Sequence, residues 1–267
     1  MPPFASSLPK VPSGYRLLRL ETVDSTNAEA RRRAEGGEPG PLWIWSLRQS
    51  AGRGRYGRQW QSQYGNLFAS LLIGLGCSLK TAGQLALLAG VVTYDTAAKL
   101  LPDGARSELL LKWPNDVLLK GGKVAGMLIE GVSEAAPNHC KVVIGTGINL
   151  ASYPPELEQP ATSLATHGGS ATPAEAFETL AAVTDAWLSH WAEGVAFQTV
   201  RRAWLDRAGP TGRPLRVRLP GEEAEGTYAG LDSGGALRLL MSDGAERRIS
   251  AGDVFFATSK SIPNPIA

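Results

Sequence analysis

The chain has 267 residues, 43% of them apolar and 19% charged, with a net charge of only +2. That length and balance fit a soluble globular protein made of one large domain, or of a large domain with a small one. So small a net charge excludes the broad basic field of a nucleic-acid-binding protein.

No stretch reaches the roughly 18 consecutive apolar residues that a membrane helix needs. The proline-bearing start, MPPFASSLPKVPSG, lacks the apolar centre of a signal peptide and reads as a loose leader. Cys77 and Cys140 sit in apolar surroundings without a CxxC spacing, which suits buried thiols in a reducing compartment. His139, His167 and His190 are scattered without ligand spacing, so a zinc site is not expected. Together these features point to a cytoplasmic protein.

In chain order, Tyr15 to Val23 alternates as a strand. Thr26 with Glu29 predicts a capping box opening a helix that stops at Gly36-Gly37, which places Ser25, Thr26 and Asn27 at a helix N-terminus. Plain capping accounts for those three residues as well as a polar or anionic ligand does. Leu42 to Arg48 reads as a buried strand and Asn66 to Gly74 as another. Thr81 to Leu101 predicts a second capped helix, with Leu85, Leu88, Ala89, Val92 and Leu100 on one face.

Leu109 to Gly131 reads as a strand ending at Trp113 before Pro114, then a hairpin turning on Gly121-Gly122 with Lys120 and Lys123 facing each other. Lys120 reads as a solvated charge. Lys123 is followed by Val124, Ala125 and Gly126, small residues that leave room for a ligand. Cys140 to Leu150 is a strand running into a glycine-bearing turn, followed by a proline-rich connector from Tyr153 to Pro160. Thr172-Pro173 with Glu175 opens a long helix whose stripe of Phe177, Leu180, Thr184, Trp187, Leu188 and Trp191 reads as core packing. A last helix covers about Phe197 to Ala208. From Pro214 onward, short alternating strands separated by Gly-bearing turns predict a β-barrel of roughly 50 residues. So small a unit is expected to lean on the first domain. The predicted domains are 1–209 and 210–267.

The stretch Gln49 to Trp60, QSAGRGRYGRQW, carries Arg53, Arg55 and Arg58 between Gly52, Gly54 and Gly57, and no Asp or Glu occurs from Pro39 to Tyr94. Glycine lets backbone approach a ligand closely, and arginine presents a planar fork to carboxylate or phosphate oxygens. A flexible RG segment that binds nucleic acid non-specifically is the competing reading. GRGRYG is formally GxGxxG, but no helical period follows it, and no Gly-Lys-Ser/Thr closes a P-loop.

Taken in order, four elements resemble the biotin protein ligases: the polar helix start, the Arg-Gly loop, KWPND with Lys123, and GTGIN. GRGRYGR matches that family's GRGRxGR loop, and KWPNDVLLKGGKVAG matches its KWPND segment followed by K-x-x-G. The resemblance spans about Thr22 to Leu150. It implies an α+β fold, a mixed β-sheet backed by helices akin to class II aminoacyl-tRNA synthetases and the biotin–lipoate ligases, with a C-terminal SH3-like β-barrel. It implies activation of biotin by ATP, with Mg²⁺, to biotinoyl-5'-AMP, then transfer to one lysine of a biotin carboxyl carrier protein.

The resemblance carries biotin contacts onto Ser25, Thr26, Asn27, Gln49, Arg53, Gly54, Arg55 and Lys123. Of these, Arg53, Arg55 and Lys123 take the catalytic role of screening two anions as they approach. It carries ATP or adenylate contacts onto Arg58, Trp60, Asn115 and Asn149. No dedicated metal ligands are implied, since Mg²⁺ can be held by the ATP phosphates. Tyr56 departs from the pattern, standing where many members have another basic residue. Trp43 and Trp45 fit the core at least as well as a ligand wall, which leaves Trp60 as the stacking candidate.

A mixed anhydride must be kept from water, so Gly52 to Gly57 is expected to be disordered until ligand orders it. Lipoate or octanoyl transfer is the sister alternative. A biotin-sensing repressor is disfavoured, because the 23 residues before Asp24 include four prolines and no helix pair, so no DNA partner is expected. No membrane partner is expected either, and a homodimer is left open.

Overall fold

The computed structural model describes residues 8–136, 138–155 and 159–256. The first seven residues of the leader, the middle of the proline-rich connector and the last eleven residues of the expected second domain lie outside the described residues.

The elements run β1 (Arg16–Val23), α1 (Thr26–Glu35), β2 (Leu42–Gln49), β3 (Leu67–Leu75), α2 (Leu79–Ala82), α3 (Leu85–Leu100), α4 (Asp103–Arg106), β4 (Leu109–Lys112), β5 (Asp116–Leu119), β6 (Gly122–Ala136) and β7 (His139–Ile148). They continue with α5 (Pro173–Trp191), α6 (Phe197–Arg207), β8 (Pro214–Leu219), β9 (Glu222–Leu231), β10 (Leu237–Leu240), β11 (Glu246–Ile249) and β12 (Asp253–Phe256). The first seven strands form a mixed sheet in the order β1-β2-β3-β7-β6-β5-β4, in which β1 and β2 are parallel and the other pairs antiparallel.

Period-two alternation distributes each strand between two faces. On β2, Trp43 and Trp45 join the large core with α3, α5 and α6, while Leu42 and Ile44 pack with Ala30 and Ala34 of α1 on the opposite face. Phe177 of α5 stacks on Trp45 at 5.4 Å and meets Trp43 edge-on at 5.5 Å, so these two tryptophans are core residues. The α1 face is covered by one short helix, and this is the face on which the site is built.

Several local readings are corrected. The cap of α1 is Ser25, whose Oγ accepts from Ala28 N. Glu29 does not close a box with Thr26, because its carboxylate is taken by Arg32 and Arg33. The helix expected from Thr81 to Leu101 is two helices that break at Gly83. Ser78 caps the first one, and the Gln84 amide accepts from Trp191 Nε1 at 2.8 Å instead of capping. The hairpin turns on Lys120-Gly121, both at positive φ (49° and 80°), with Leu119 opposite Gly122 and Leu118 opposite Lys123. The Lys120–Lys123 facing pair is therefore absent. Thr172-Pro173 opens α5 as expected, and Thr172 and Glu175 form a capping box there, with the Glu175 carboxylate accepting from Thr172 N at 2.8 Å.

The C-terminal strands form an antiparallel sheet in the order β11-β10-β9-β8-β12, and among the described residues no ladder joins β11 to β12. This sheet shares one continuous core with the first, through Leu215, Val217, Tyr228, Leu237 and Leu239. The Gly235 turn comes against α3: a Cβ there would meet Leu87 Cδ1 at 2.9 Å. The Gly235 carbonyl also accepts from Trp113 Nε1 at 3.3 Å. The expectation that the small unit leans on the large one holds.

Thr172→Ala removes the hydroxyl half of the α5 cap, the acceptor for Glu175 N, and leaves the backbone N–H of residue 172 donating to the Glu175 carboxylate. It is expected to cost about 1 kcal/mol of stability, read as a lower urea midpoint at unchanged m-value.

Candidate active site

A cavity opens on the α1 face, and a floor of glycines makes it. Gly126 on β6 pairs with Gly147 on β7, and Leu128 with Gly145. A Cβ on Gly145 would lie 2.0 Å from Asn27 Oδ1, and one on Gly147 would lie 2.7 Å from the Trp60 ring. Only bare backbone lets the start of α1 and the indole sit against the sheet. The GTG of GTGIN, expected in a turn, lies inside β7 for this reason.

One wall is polar. Thr26 N donates to Gln49 Oε1 at 2.8 Å, and Gln49 Nε2 donates to Ser62 Oγ at 2.9 Å. Asn27 Nδ2 donates to Leu128 O (3.2 Å) and Glu130 Oε2 (2.7 Å). Behind them, fully buried Ser70 puts its Oγ 2.7 Å from Thr26 Oγ1 and 2.6 Å from Asn27 Oδ1.

The other wall is cationic. Arg53, Arg55, Arg58, Lys112 and Lys123 line the cavity against the two carboxylates of Asp116 and Asp253. Asp116 is buried and shared: Oδ1 lies 2.6 Å from Lys123 Nζ and Oδ2 lies 3.3 Å from Lys112 Nζ. Burial alone would raise the Asp116 carboxyl, but the ammoniums of Lys123 and Lys112 outweigh it and hold the group below its ordinary value. Burial lowers Lys112, and the attraction of Asp116 offsets this only in part. Lys112 also donates to Gln159 Oε1 at 2.5 Å and lies 6.0 Å from the Phe255 ring centre.

The arginine loop is a tight hairpin. Trp60 N donates to Gly52 O at 2.8 Å and Gly54 N donates to Arg58 O at 2.7 Å. Tyr56 and Gly57 carry positive φ at the tip. A Cβ on Gly52 would come within 2.5 Å of Trp60 O, so that position requires glycine. Its far side is held by β12: Arg58 Nη2 donates to Asp253 Oδ2 at 2.5 Å, and Arg55 Nη1 donates to Gly252 O at 3.1 Å. Arg53 is exposed at the mouth.

The structure thus brings together Ser25, Thr26, Asn27, Gln49, Arg53, Gly54, Arg55, Arg58, Trp60, Asn115 and Lys123 around one cavity. Lys123 Nζ lies 5.4 Å from the Trp60 ring centre, and Asn115 Nδ2 donates to Met127 O at 2.6 Å. Asn149 is not part of the wall. Its amide donates to Thr162 O at 3.0 Å and Lys123 O at 3.4 Å, bracing the Lys123 strand from behind.

Sequence reasoning left Ser70, Glu130, Asp116 and Asp253 without roles. Ser70 had a signal, a polar residue inside LFASLLIGL, and Asp116 had one inside KWPND. Asp253 had none, because nothing local ties it to arginines 195 and 198 residues earlier.

Comparison with known proteins agrees with this geometry. Residues 21–149 match the biotin/lipoate A/B protein ligase family, and residues 211–257 match the biotin protein ligase C terminal domain. The chain is 37% identical to the biotin–[acetyl-CoA-carboxylase] ligase of Paracoccus denitrificans over 89% of this chain and 99% of that one. The chain belongs to the biotin protein ligase family. The ligase is also 32% identical to the bifunctional ligase/repressor BirA of Escherichia coli (strain K12), over 90% of this chain and 74% of that protein. Among solved structures it resembles the Aquifex aeolicus biotin protein ligase in complex with biotin and ATP. There the TM-score is 0.72 at 25% identity, covering 91% of this chain and 99% of that one.

Two variants test the ligase's site. Gly145→Ala drives a methyl into the Asn27 amide and is expected to weaken biotin binding at least about 100-fold by calorimetry while the protein stays folded. Asp116→Ala leaves Lys112 as a buried, uncompensated ammonium and should cost about 3–5 kcal/mol in denaturant unfolding. The two proteins should also differ in pH dependence. The wild-type Asp116 contribution is complete above the ordinary carboxylate value of 3.8 and is lost as pH falls through the depressed one. The variant lacks that acid-side loss and should gain more stability than the wild type as pH rises toward the ordinary Lys value, because without the attraction of Asp116 burial lowers Lys112 further.

Proposed function

We propose that this chain joins biotin to ATP as biotinoyl-5'-AMP and passes the acyl group to a lysine of a biotin carboxyl carrier domain, using the cavity between α1, the arginine loop and Lys123. The observation that carries the reading is a polar recognition wall and a cationic wall facing one another across one glycine-floored cavity. Biotin's fused ring fits the wall of Ser25, Thr26, Asn27 and Gln49, with its valerate carboxylate reaching toward Arg53, Gly54, Arg55 and Lys123. The nucleotide takes the side of Arg58, Trp60 and Asn115, where the indole offers a flat face. Asn149 supports that side through the Lys123 strand.

In the first step a carboxylate oxygen attacks the α-phosphorus, and the bond to the leaving pyrophosphate breaks. Two anions must approach, and fixed cations lower that barrier. In the second step the carrier's lysine amine attacks the acyl carbon, loses a proton, and AMP departs. Gly52 to Gly57 lies over the cavity as a lid that keeps water from the anhydride and opens for exchange. The carboxylates of the cavity do not form a metal cage. The Asp116 oxygens face Lys112 and Lys123, Asp253 faces Arg55 and Arg58, and no cluster of three acidic, His or Cys ligands occurs among the described residues. Mg²⁺ accordingly arrives as part of the MgATP substrate, on its phosphates.

Biotin is favoured over lipoate by GRGRYGR, by KWPND and by the C-terminal unit. We read that unit, residues 210–267, as the SH3-like domain beside a catalytic domain of 1–209. Its Gly252 and Asp253 tie it to the loop. Among the described residues no helix is long and apolar enough to cross a membrane. We place the enzyme in the cytoplasm on the strength of its buried Cys77 and Cys140, which form no disulfide; burial first, then the neighbouring Cys140 thiol and Glu193, push the Cys77 thiol up to about 11, where it is unreactive.

The test is mass spectrometry of a carrier domain incubated with the protein, biotin and MgATP. A mass increase of one biotinoyl group supports the reading, and an unmodified carrier together with no acyl-adenylate ends it. Lys123→Ala should lower biotin-dependent pyrophosphate release at least about 100-fold, roughly 3 kcal/mol, with a smaller change in biotin affinity. Release near the wild-type rate would remove Lys123 from the catalytic role.

A further inference from the structure

The polar wall at the start of α1 holds more hydrogen-bond acceptors than hydroxyl protons, and counting them fixes the direction of each bond. Asn27 Nδ2 lies 3.2 Å from the Leu128 carbonyl oxygen, which can only accept, so the amide nitrogen faces Leu128 and Glu130 and the amide oxygen faces Ser70. Asn27 Oδ1 is itself only an acceptor, and Ser70 Oγ stands 2.6 Å away, so Ser70 spends its single proton there. Thr26 Oγ1 is 2.7 Å from the same Ser70 oxygen, which has only lone pairs left to offer in that direction.

The remaining polar neighbour of the Thr26 hydroxyl is Gln49 Oε1 at 3.1 Å. Its identity as oxygen is set by the 2.8 Å bond it accepts from Thr26 N. Ser70 Oγ, at 2.7 Å, is the nearer acceptor, and Gln49 Oε1 already accepts from Thr26 N, so the Thr26 proton points at Ser70 and into the protein. What Thr26 can turn toward the cavity is a lone pair. Gln49 presents the opposite sign: one Nε2 proton goes to Ser62 Oγ, whose own proton goes to Trp60 O at 3.1 Å, and the second amide proton is left for a ligand.

Ser70 itself does not line the cavity. It sits in the middle of an otherwise apolar strand, where a buried hydroxyl is unfavourable unless paired on both sides. We propose that Ser70 is a positioning residue that locks the Thr26 hydroxyl as a hydrogen-bond acceptor. The wall then reads a ring N–H at Thr26 beside a carbonyl at Gln49, the edge of a cyclic urea. This rests on the placement of biotin's ring at that wall and adds the source of its donor–acceptor polarity. A ring bearing oxygen where the urea bears that N–H would set lone pair against lone pair. Such mismatches in a site built for a hydrogen bond are rejected strongly.

The experiment measures dissociation constants of biotin and of its two cyclic-carbamate isomers, each with one ring N–H replaced by oxygen, for the full-length wild type and for Ser70→Ala. In the wild type one isomer should bind at least 100-fold more weakly than biotin. In Ser70→Ala the Thr26 hydroxyl loses its nearer acceptor and keeps only the longer 3.1 Å contact to Gln49 Oε1, so it can turn and donate, and that isomer should recover at least tenfold relative to biotin, with the ATP KM unchanged. A merely structural role for Ser70 would weaken all three ligands by one common factor and leave the ratios untouched. That outcome overturns the proposal while leaving the ring at this wall. A wild type that discriminates against neither isomer overturns the placement of the ring as well. Should Ser70→Ala fail to fold, Ser70→Cys, of similar shape but a poor acceptor, is measured against the same three ligands with the same criteria.

Discussion

Five cationic side chains surround one cavity against two carboxylates, and everything else about the site follows from managing that surplus. Left unpaired and close together, such cations repel one another and destabilise the folded chain. The two carboxylates relieve this in different ways. Asp116 is buried and permanent, bound to both Lys112 and Lys123, so it sets the position of Lys123 without cancelling the field. Asp253 comes from the distant C-terminal sheet and meets Arg55 and Arg58, side chains at a loop tip. The cavity keeps net positive charge for a polyanion, and the part of that charge held on a loop is the part that can be rearranged.

The opposite wall works by direction instead of charge. Gly145 gives the Asn27 amide room to lie on the sheet. Asn27 in turn orients Ser70, and Ser70 faces Thr26. A string of short polar groups in a dry setting is costly unless each member is satisfied, and a satisfied string has few ways to rotate. The same packing that removes the cost therefore gives the wall a definite pattern of donors and acceptors.

Much of this was legible beforehand, because it depends on local spacing. The strands of the first sheet and the opening of α5 at Thr172-Pro173 follow from period and composition, and the structure places them as read; for Trp43 and Trp45, where the core and a ligand wall were both open, it decides for the core. The capping failures share one cause. Thr26, Glu29 and Gln84 carry the right chemistry for caps, but each has a better partner elsewhere: Gln49 and Ser70 for Thr26, arginines for Glu29, and Trp191 for Gln84. The Gly145 and Gly147 pair looked like a turn because glycine is ambiguous between a bend and a close approach. The ladder to β6 settles it as a close approach.

By itself the sequence determined the family motifs, the concentration of arginine among glycines, the lysine followed by small residues, and the alternation that builds both sheets. These are properties of neighbouring residues, and short-range spacing encodes them. Only the tertiary structure decided which cations are neutralised and by what. The acid-free span from Pro39 to Tyr94 looked unopposed, yet Asp253 reaches it from the end of the chain. Electrostatic partnership depends on distance through space, and separation along the chain carries no information about that once a sheet has folded.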